Sequence, residues 1–163
     1  MASFNNHIDQ AKRNISFLVE VNTAMNLYWD WQVTVSFYVN VHVINAHLAQ
    51  AADLHYRTHE DVKNAINPHN NTSTVKIPLD IYLAYAKLEG LSRRSRYLCH
   101  DDPTIKDNAQ FPTYDKHFAK AIKQLDKILS YFGEKYSVDF GSPSVGCLDL
   151  SSKTPLNVFK AKS

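Results

Sequence analysis

A chain of 163 residues is long enough to form one domain with a buried core. Hydrophobic residues make up 44% of the chain and charged residues 21%, which excludes the low-hydrophobicity, high-charge composition of disordered proteins. The 18 basic and 16 acidic residues give a formal charge of +2, far from the strong basic excess of many nucleic-acid-binding proteins. Any nucleic-acid-binding surface must therefore be local.

The small number of cysteines and the polar amino terminus indicate the cellular compartment of the protein. Cys99 and Cys147 are the only cysteines, and the start of the chain is polar where a secretory signal would need an apolar core. No window approaches the roughly 18 consecutive apolar residues of a membrane-spanning helix. We therefore expect a cytoplasmic protein that does not enter a membrane.

The first segment has the pattern of an amphipathic helix. Ser3 is a suitable N-cap, and apolar residues recur at spacings of three and four up to about Asn22. The opposite face is polar, as expected of a helix that packs one side against a core. The apolar residues are Phe4, Ile8, Ala11, Ile15 and Leu18.

The second segment, from Asp30 to about Asp53, is ambiguous by pattern alone. Between Val33 and Val43 apolar residues alternate with mostly polar ones, which is the period of a strand. However, the segment is far longer than an ordinary strand, contains no Gly or Pro, and ends in an alanine-rich run that favours a helix. We predict a helix that is apolar on more than one side and lies in the middle of a bundle.

Three further helices are predicted from caps and breakers. Thr58 is the N-cap of a short helix that continues to about Ile66. A long helix follows Pro78 and ends near Asp102. The last helix begins after Thr113 as N-cap and has one clear apolar stripe.

These elements together predict an all-α protein, an up-and-down bundle of four to five helices. We expect residues 1–136 to form the bundle and residues 137–163 to form an irregular tail that packs on it or is partly mobile. The predicted packing residues of the tail are Phe140, Leu148, Leu150, Leu156 and Phe159. The predicted solvent-facing residues of the last helix are Lys116, Lys120, Lys123, Asp126 and Lys127.

The densest polar cluster lies at the end of the fourth segment, at 92–102. If the helix continues to His100, residues three, four and seven apart share one face, whereas Arg94 points about 100 degrees away from Arg93. That face carries Arg93, Arg96, Tyr97 and His100. Histidine moves a proton near neutral pH and arginine binds phosphate, so the cluster suits metal-independent cleavage of a phosphodiester. The candidate catalytic residues are Arg93 and His100, and the candidate binding residues are Arg94, Arg96 and Tyr97.

A purely structural interpretation of the same cluster stays open. Arginines near the carboxyl end of a helix complement the helix dipole. They can also form ion pairs with neighbouring carboxylates, here Glu89, Asp101 or Asp102.

The remaining histidines do not have the spacing of a metal site. His42 and His47 are five residues apart, which separates them by about 140 degrees on a helix. His55 and His59 lie on either side of the proposed cap at Thr58. The chain has no HExxH motif, no pair of CxxC motifs and no glycine-rich phosphate loop. We therefore predict no metal and no cofactor.

Three stretches of the sequence form a larger pattern. They are DWQVTVSFYVNVHVINAHL at 30–48, THED at 58–61, and the region from Tyr85 through LSRRSRY at 91–97. They resemble the prokaryotic HEPN-like family, whose members share a "W-x-V-T-x-x-F-Y-x-x-x-H-x-x-x-A" helix followed by a late "S-R-x-x-R-Y". The resemblance covers about residues 5 to 132 and implies that the second segment is a helix.

The resemblance also implies a four- or five-helix bundle that commonly dimerises. Many active members are metal-independent RNases of toxin or defence systems, with an arginine, four to six residues, then a histidine at the dimer interface. Arg93 and Arg94 both have that spacing to His100, although active members usually carry Asn, Asp or His after the arginine. Two hypotheses follow: an RNA-binding or RNA-cleaving homodimer, or a catalytically inactive module that binds a partner protein in a toxin-antitoxin or defence system.

Overall fold

The computed structural model describes residues 2–98, 112–150 and 155–162. Within these ranges the chain forms the predicted all-α bundle, and part of the tail forms a short sheet that the sequence did not predict. The helices are α1 (Phe4–Ala24), α2 (Trp29–Ala52), α3 (His59–Ile66), α4 (Leu79–Tyr97) and α5 (Asp115–Tyr136). Two short strands of the tail, β1 (Ser144–Gly146) and β2 (Lys160–Lys162), pair in parallel. None of the helices in the described ranges is long and apolar enough to cross a bilayer.

The predicted caps of α1 and α3 are confirmed. The Ser3 hydroxyl accepts a hydrogen bond from the amide of Asn6, whose side chain in turn accepts one from the Ser3 amide. The Thr58 hydroxyl accepts a hydrogen bond from the amide of Asp61 at 3.1 Å. Both caps satisfy amide groups that the first turn of a helix otherwise leaves without a partner.

Helix α2 lies in the middle of the bundle and is buried on nearly every side. It packs against α1, α4 and α5. Because α2 has neighbours on several sides, its sequence has no single apolar stripe. The prediction of a central helix is confirmed. The apolar residues of α2 that are at most 1% exposed are Val33, Phe37, Val39, Val43, Ile44, Ala46 and Leu48.

His47 joins α2 to the rest of the core through both ring nitrogens. Its Nε2 lies 3.0 Å from the carbonyl oxygen of Val75, and its Nδ1 lies 2.6 Å from the hydroxyl oxygen of Tyr136. A carbonyl oxygen can only accept, so Nε2 carries the hydrogen and Nδ1 accepts from the Tyr136 hydroxyl. The neutral imidazole therefore satisfies both partners, and protonation of Nδ1 would reverse the direction of the bond to Tyr136, whose oxygen would then accept.

Two predicted helix ends are wrong. Helix α4 ends at Tyr97 rather than near Asp102, because Leu98 adopts a left-handed backbone conformation with φ 52° and its amide bonds back to the Arg94 carbonyl. The N-cap of α5 is Tyr114 rather than Thr113, since the Tyr114 amide donates to His117 Nδ1 at 2.9 Å.

The tail is attached to α1 by a pair of hydrogen bonds to one buried side chain. Asn22 receives the amide hydrogen of Gly146 on Oδ1 at 2.7 Å and donates from Nδ2 to the Gly146 carbonyl at 2.9 Å. The same Nδ2 donates to Gln32 on α2 at 2.8 Å. The side chain of Asn22 therefore takes the place of a neighbouring strand beside β1.

The second attachment of the tail is a buried carboxylate on α5. Asp126 is 3% exposed and accepts three backbone amide hydrogens, from Asn157, Val158 and Phe159, each at 2.8 Å. The prediction that Asp126 faces solvent is therefore wrong. The buried Phe159 ring lies on the segment that this carboxylate holds.

Most of the predicted packing residues of the tail are correct. Phe140, Leu150 and Phe159 are buried in the common core, and Leu156 packs against it. Leu148 is 94% exposed, so its predicted role is wrong. Val145 is fully buried and takes part in the packing instead.

We expect the substitution Asp126→Asn to release the segment 157–159 and to destabilise the protein by about 2–3 kcal/mol. Asn is neutral and accepts at one atom only, so all three backbone N–H groups lose a charged acceptor and at least one loses its acceptor altogether. Urea unfolding measures the loss of stability, and hydrogen exchange of the amides of residues 157–159 measures the release. Asp9→Asn, at an exposed carboxylate of α1, is the matched control. Unchanged exchange at 157–159 would contradict the role of Asp126.

We expect the free energy of unfolding to fall as pH falls below about 6.5. Burial lowers the pKa of His47 from its ordinary value of 6.5, and burial likewise lowers the pKa of His7 and His42. The unfolded chain therefore binds protons that the folded chain does not yet bind, and stability decreases until the native rings are protonated. Urea titrations between pH 7.5 and pH 5 measure the slope. His47→Gln should reduce that slope, and a stability that is constant with pH would refute the interpretation.

Candidate functional site

The candidate catalytic residue Arg93 and the three candidate binding residues lie on the last turns of α4, and all of them except Arg94 are exposed. Arg93, Arg96 and Tyr97 face solvent, and 67% of Tyr97 is accessible. Arg94 is half-buried, consistent with its predicted direction away from Arg93. The structure therefore separates a solvent-facing set from one arginine that points toward the bundle.

Arg96 and Tyr97 form a cation–aromatic pair on the surface. The guanidinium carbon of Arg96 lies 5.2 Å from the centre of the Tyr97 ring, and its Nε donates to the Ser92 carbonyl at 3.4 Å. In the described part of the chain, no carboxylate lies within ion-pair distance of Arg96. The pair therefore presents a positive charge and an aromatic face together to solvent.

Arg94 joins the end of α4 to the residues that precede α5. Its Nη2 donates to the Pro112 carbonyl at 3.3 Å, and one residue away the Thr113 hydroxyl donates to the Ser95 hydroxyl at 3.1 Å. These two bonds bring the carboxyl end of α4 and the amino end of α5 together. Arg94 therefore helps to hold the end of α4 against the residues that precede α5.

A second cation–aromatic pair lies at the start of α5. Lys116 Nζ is 5.8 Å from the centre of the Tyr114 ring, and 50% of Tyr114 is exposed. The sequence analysis did not predict this pair because Tyr114 follows Pro112 and lies before the first residue of α5, outside the helical periodicity. Its proximity to α4 depends on the hydrogen bond between Thr113 and Ser95. The exposed residues at these adjoining helix ends are named together as the α4–α5 face; they are Arg93, Arg96 and Tyr97 of α4, and Tyr114 and Lys116 at the start of α5.

Among the described residues, the α4–α5 face carries the positive charges of Arg93, Arg96 and Lys116. Its immediate neighbours add one further cation, Arg94, and one carboxylate, Asp115. Glu89, one of the predicted ion-pair partners of the arginines, forms its ion pair with Lys63 of α3 at 3.3 Å. Asp101 and Asp102 lie outside the described residues.

The continuous helix on which Arg93 and His100 would share a face ends before His100. Helix α4 ends at Tyr97 and the left-handed Leu98 interrupts its path, so the seven-residue spacing does not fix their relative direction. His100 itself lies outside the described residues, as does Cys99. The described part of the face therefore contains arginines, tyrosines and a lysine.

The other histidines engage different neighbours. His42 Nδ1 lies 3.2 Å from His7 Nδ1, whereas His47 contacts Tyr136 and Val75, so His42 and His47 do not face one point, as their spacing predicts. Within 2–98, 112–150 and 155–162, no three His, Cys, Asp or Glu residues come together in a way that could hold a metal.

The arrangement of the α4–α5 face supports binding more directly than it supports chemistry. Guanidinium and ammonium groups attract phosphate, and exposed tyrosine rings offer surfaces on which bases can stack. His100, the predicted general base, lies outside the described residues. No protein-family model, curated protein or solved structure matches the chain.

Proposed function

We propose that this protein binds single-stranded RNA on the α4–α5 face. The observation that carries the proposal is the exposed pair of Arg96 and Tyr97, whose guanidinium lies 5.2 Å from the ring centre. A base can stack on the aromatic ring while the neighbouring cation binds the adjacent phosphate, which is the usual division of labour in single-strand binding. The pair of Tyr114 and Lys116 supplies the same two groups again.

Single-stranded RNA fits this surface better than a duplex does. The rings of Tyr97 and Tyr114 are exposed by 67% and 50%, and stacking on them requires bases that are not already stacked in a helix. Because the net charge of the chain is only +2, its attraction for RNA must come from a local cluster of positive charge. The affinity should therefore depend on a small number of residues.

RNA cleavage is the further activity implied by the resemblance to HEPN-like proteins. In that proposal His100 accepts the proton of the 2′-hydroxyl as its oxygen attacks phosphorus, and Arg93 stabilises the charge that develops on the phosphate. The bond from phosphorus to the 5′-oxygen breaks, and that oxygen takes up a proton, so the products are a 2′,3′-cyclic phosphate and a 5′-hydroxyl. The family's paired motifs meet between two copies of the chain, so cleavage also requires a homodimer. RNA binding requires neither His100 nor a second copy.

We expect Tyr97→Leu to weaken the binding of a short single-stranded RNA by about 1–3 kcal/mol, because loss of one stacking surface has that effect. Arg96→Gln should reduce the dependence of log affinity on log salt by about 0.7, the value for one phosphate contact on a single strand. Fluorescence anisotropy of a labelled RNA over a range of salt concentrations measures both effects.

The matched control is Lys87→Gln, which removes one exposed positive charge from the middle of α4. It should leave the affinity and the salt dependence close to those of the wild type. If Lys87→Gln and Arg96→Gln weaken binding equally, RNA binding arises from overall charge and the α4–α5 face is not the site.

We expect the wild type to cleave RNA in the presence of EDTA and His100→Ala to lose cleavage while retaining RNA binding. The reason is that imidazole would supply the proton transfer without a metal. Gel analysis of the RNA measures cleavage, and sedimentation equilibrium measures whether the active species is a dimer. Equal cleavage by both proteins would remove His100 from the mechanism and leave binding as the function.

A partner-protein function is the second candidate, and one observation favours it. Leu27, Tyr28 and Trp31 are 77%, 57% and 60% exposed beside the start of α2, a concentration of apolar surface typical of protein contacts. If the anisotropy assay detects no RNA binding while sedimentation shows association through this surface, the inactive interaction module becomes the better account.

A further inference from the structure

Helix α2 has one side that the described part of the chain leaves uncovered, although α1, α4 and α5 pack around the rest of it. Apart from Val41, the residues that reach solvent between positions 31 and 49 are separated by seven, four, three and four positions, so they form one stripe along the helix. The residues of this stripe are Trp31, Tyr38, His42, Asn45 and Ala49.

The stripe contains no charged residue. From Trp31 to Ala52 the whole of α2 has no Asp, Glu, Lys or Arg. The solvent-facing side of an ordinary surface helix carries charged and polar residues, whereas here Trp31 and Tyr38 are 60% and 41% exposed. The composition of the stripe is therefore that of a contact between helices.

Helix α1 extends the same outer surface. It runs beside α2 in the opposite direction, since His7 Nδ1 lies 3.2 Å from His42 Nδ1 and Asn22 Nδ2 lies 2.8 Å from Gln32 Oε1. Phe17 lies between His7 and Asn22 in the chain and is 52% exposed. The helical period turns it about 80 degrees from His7 and about 140 degrees from the buried Asn22, so its ring faces outward beside α2.

The exposed apolar residues of this side are named together as the α1–α2 face. Aromatic side chains bury about 150–250 Å² each, so the exposed fractions of four rings and two aliphatic chains amount to an area on the order of 600 Å². That area is at the upper end for the largest apolar patch of a monomer, and it approaches the roughly 800 Å² that each partner contributes to a standard interface. The residues are Phe17, Met25, Leu27, Tyr28, Trp31 and Tyr38.

We propose that the α1–α2 face binds a second copy of this chain, with the two α2 stripes packed against each other about a two-fold axis. Such an interface uses the same surface on both copies, and an uncharged stripe does not repel its own copy. Tyr38 is seven residues, or about 10.5 Å, from both Trp31 and Asn45. An antiparallel crossing at Tyr38 therefore places Trp31 against Asn45 of the partner subunit, and the amide oxygen there can accept the indole N–H.

This dimer differs from the one that the resemblance to HEPN-like proteins implies, in which the Arg and His motifs of two copies meet. The α1–α2 face shares no residue with the α4–α5 face. Because α4 and α5 cover other sides of α2, the pairing leaves the α4–α5 face of each copy exposed. The dimer therefore forms whether or not the protein binds RNA.

Sedimentation equilibrium of the full chain over a range of concentrations measures the pairing. The wild type should form a dimer and no larger species, since a two-fold contact is closed. Tyr38→Glu should raise the dissociation constant about 30-fold or more, because it places two charges at the centre of the interface. Leu83→Glu, the same change at a 56%-exposed leucine of α4, is the matched control and should pair like the wild type. Both sites are exposed in the single chain, so circular dichroism should show unchanged helix content.

Three results would overturn the proposal. One is a wild type that remains monomeric at every concentration, and another is equal dissociation of Tyr38→Glu and Leu83→Glu. The third is a dimer that Tyr97→Glu disrupts and Tyr38→Glu does not, which would place the contact on the α4–α5 face.

Thiol cross-linking tests the two-fold crossing at Tyr38. A short bis-maleimide should join two copies of Tyr38→Cys efficiently, because the two new thiols lie on opposite sides of the axis. Leu83→Cys and the wild type, which both retain Cys99 and Cys147, should give much less cross-linked dimer. Cross-linking of Tyr38→Cys no greater than that of Leu83→Cys would overturn pairing through α2.

Discussion

The burial of α2 on nearly every side is the constraint on which the rest of the structure depends. Burying a side chain such as Phe37 or Leu48 contributes about 1.5–3 kcal/mol, and this helix has such residues on several faces. One neighbouring helix could cover only one of these faces. The chain therefore places α1, α4 and α5 around α2, and the buried His47 of α2 bonds to Tyr136 of α5 and to Val75 in the segment before α4.

The tail requires a different kind of stabilisation because it contributes little helix or sheet. Its backbone amides cannot find enough partners in two strands of three residues, so side chains of the bundle supply them. Asn22 pairs with Gly146, and Asp126 accepts the amides of Asn157, Val158 and Phe159. The helices thus provide both the apolar surface and the hydrogen-bond acceptors that order the tail.

Sequence reasoning was most accurate where the interaction is local. The cap at Thr58 depends on a residue three positions away, and it predicted the start of α3 correctly. The strand-like alternation in α2 concealed the helix because burial on several sides removes the helical stripe, and the length of the segment and its lack of Gly and Pro predicted the helix instead. Asp126 appeared solvent-facing because its partners lie 31 to 33 residues away, and the end of α4 at the left-handed Leu98 has no glycine to announce it. The pair of Tyr114 and Lys116 joins the candidate site only through tertiary hydrogen bonds.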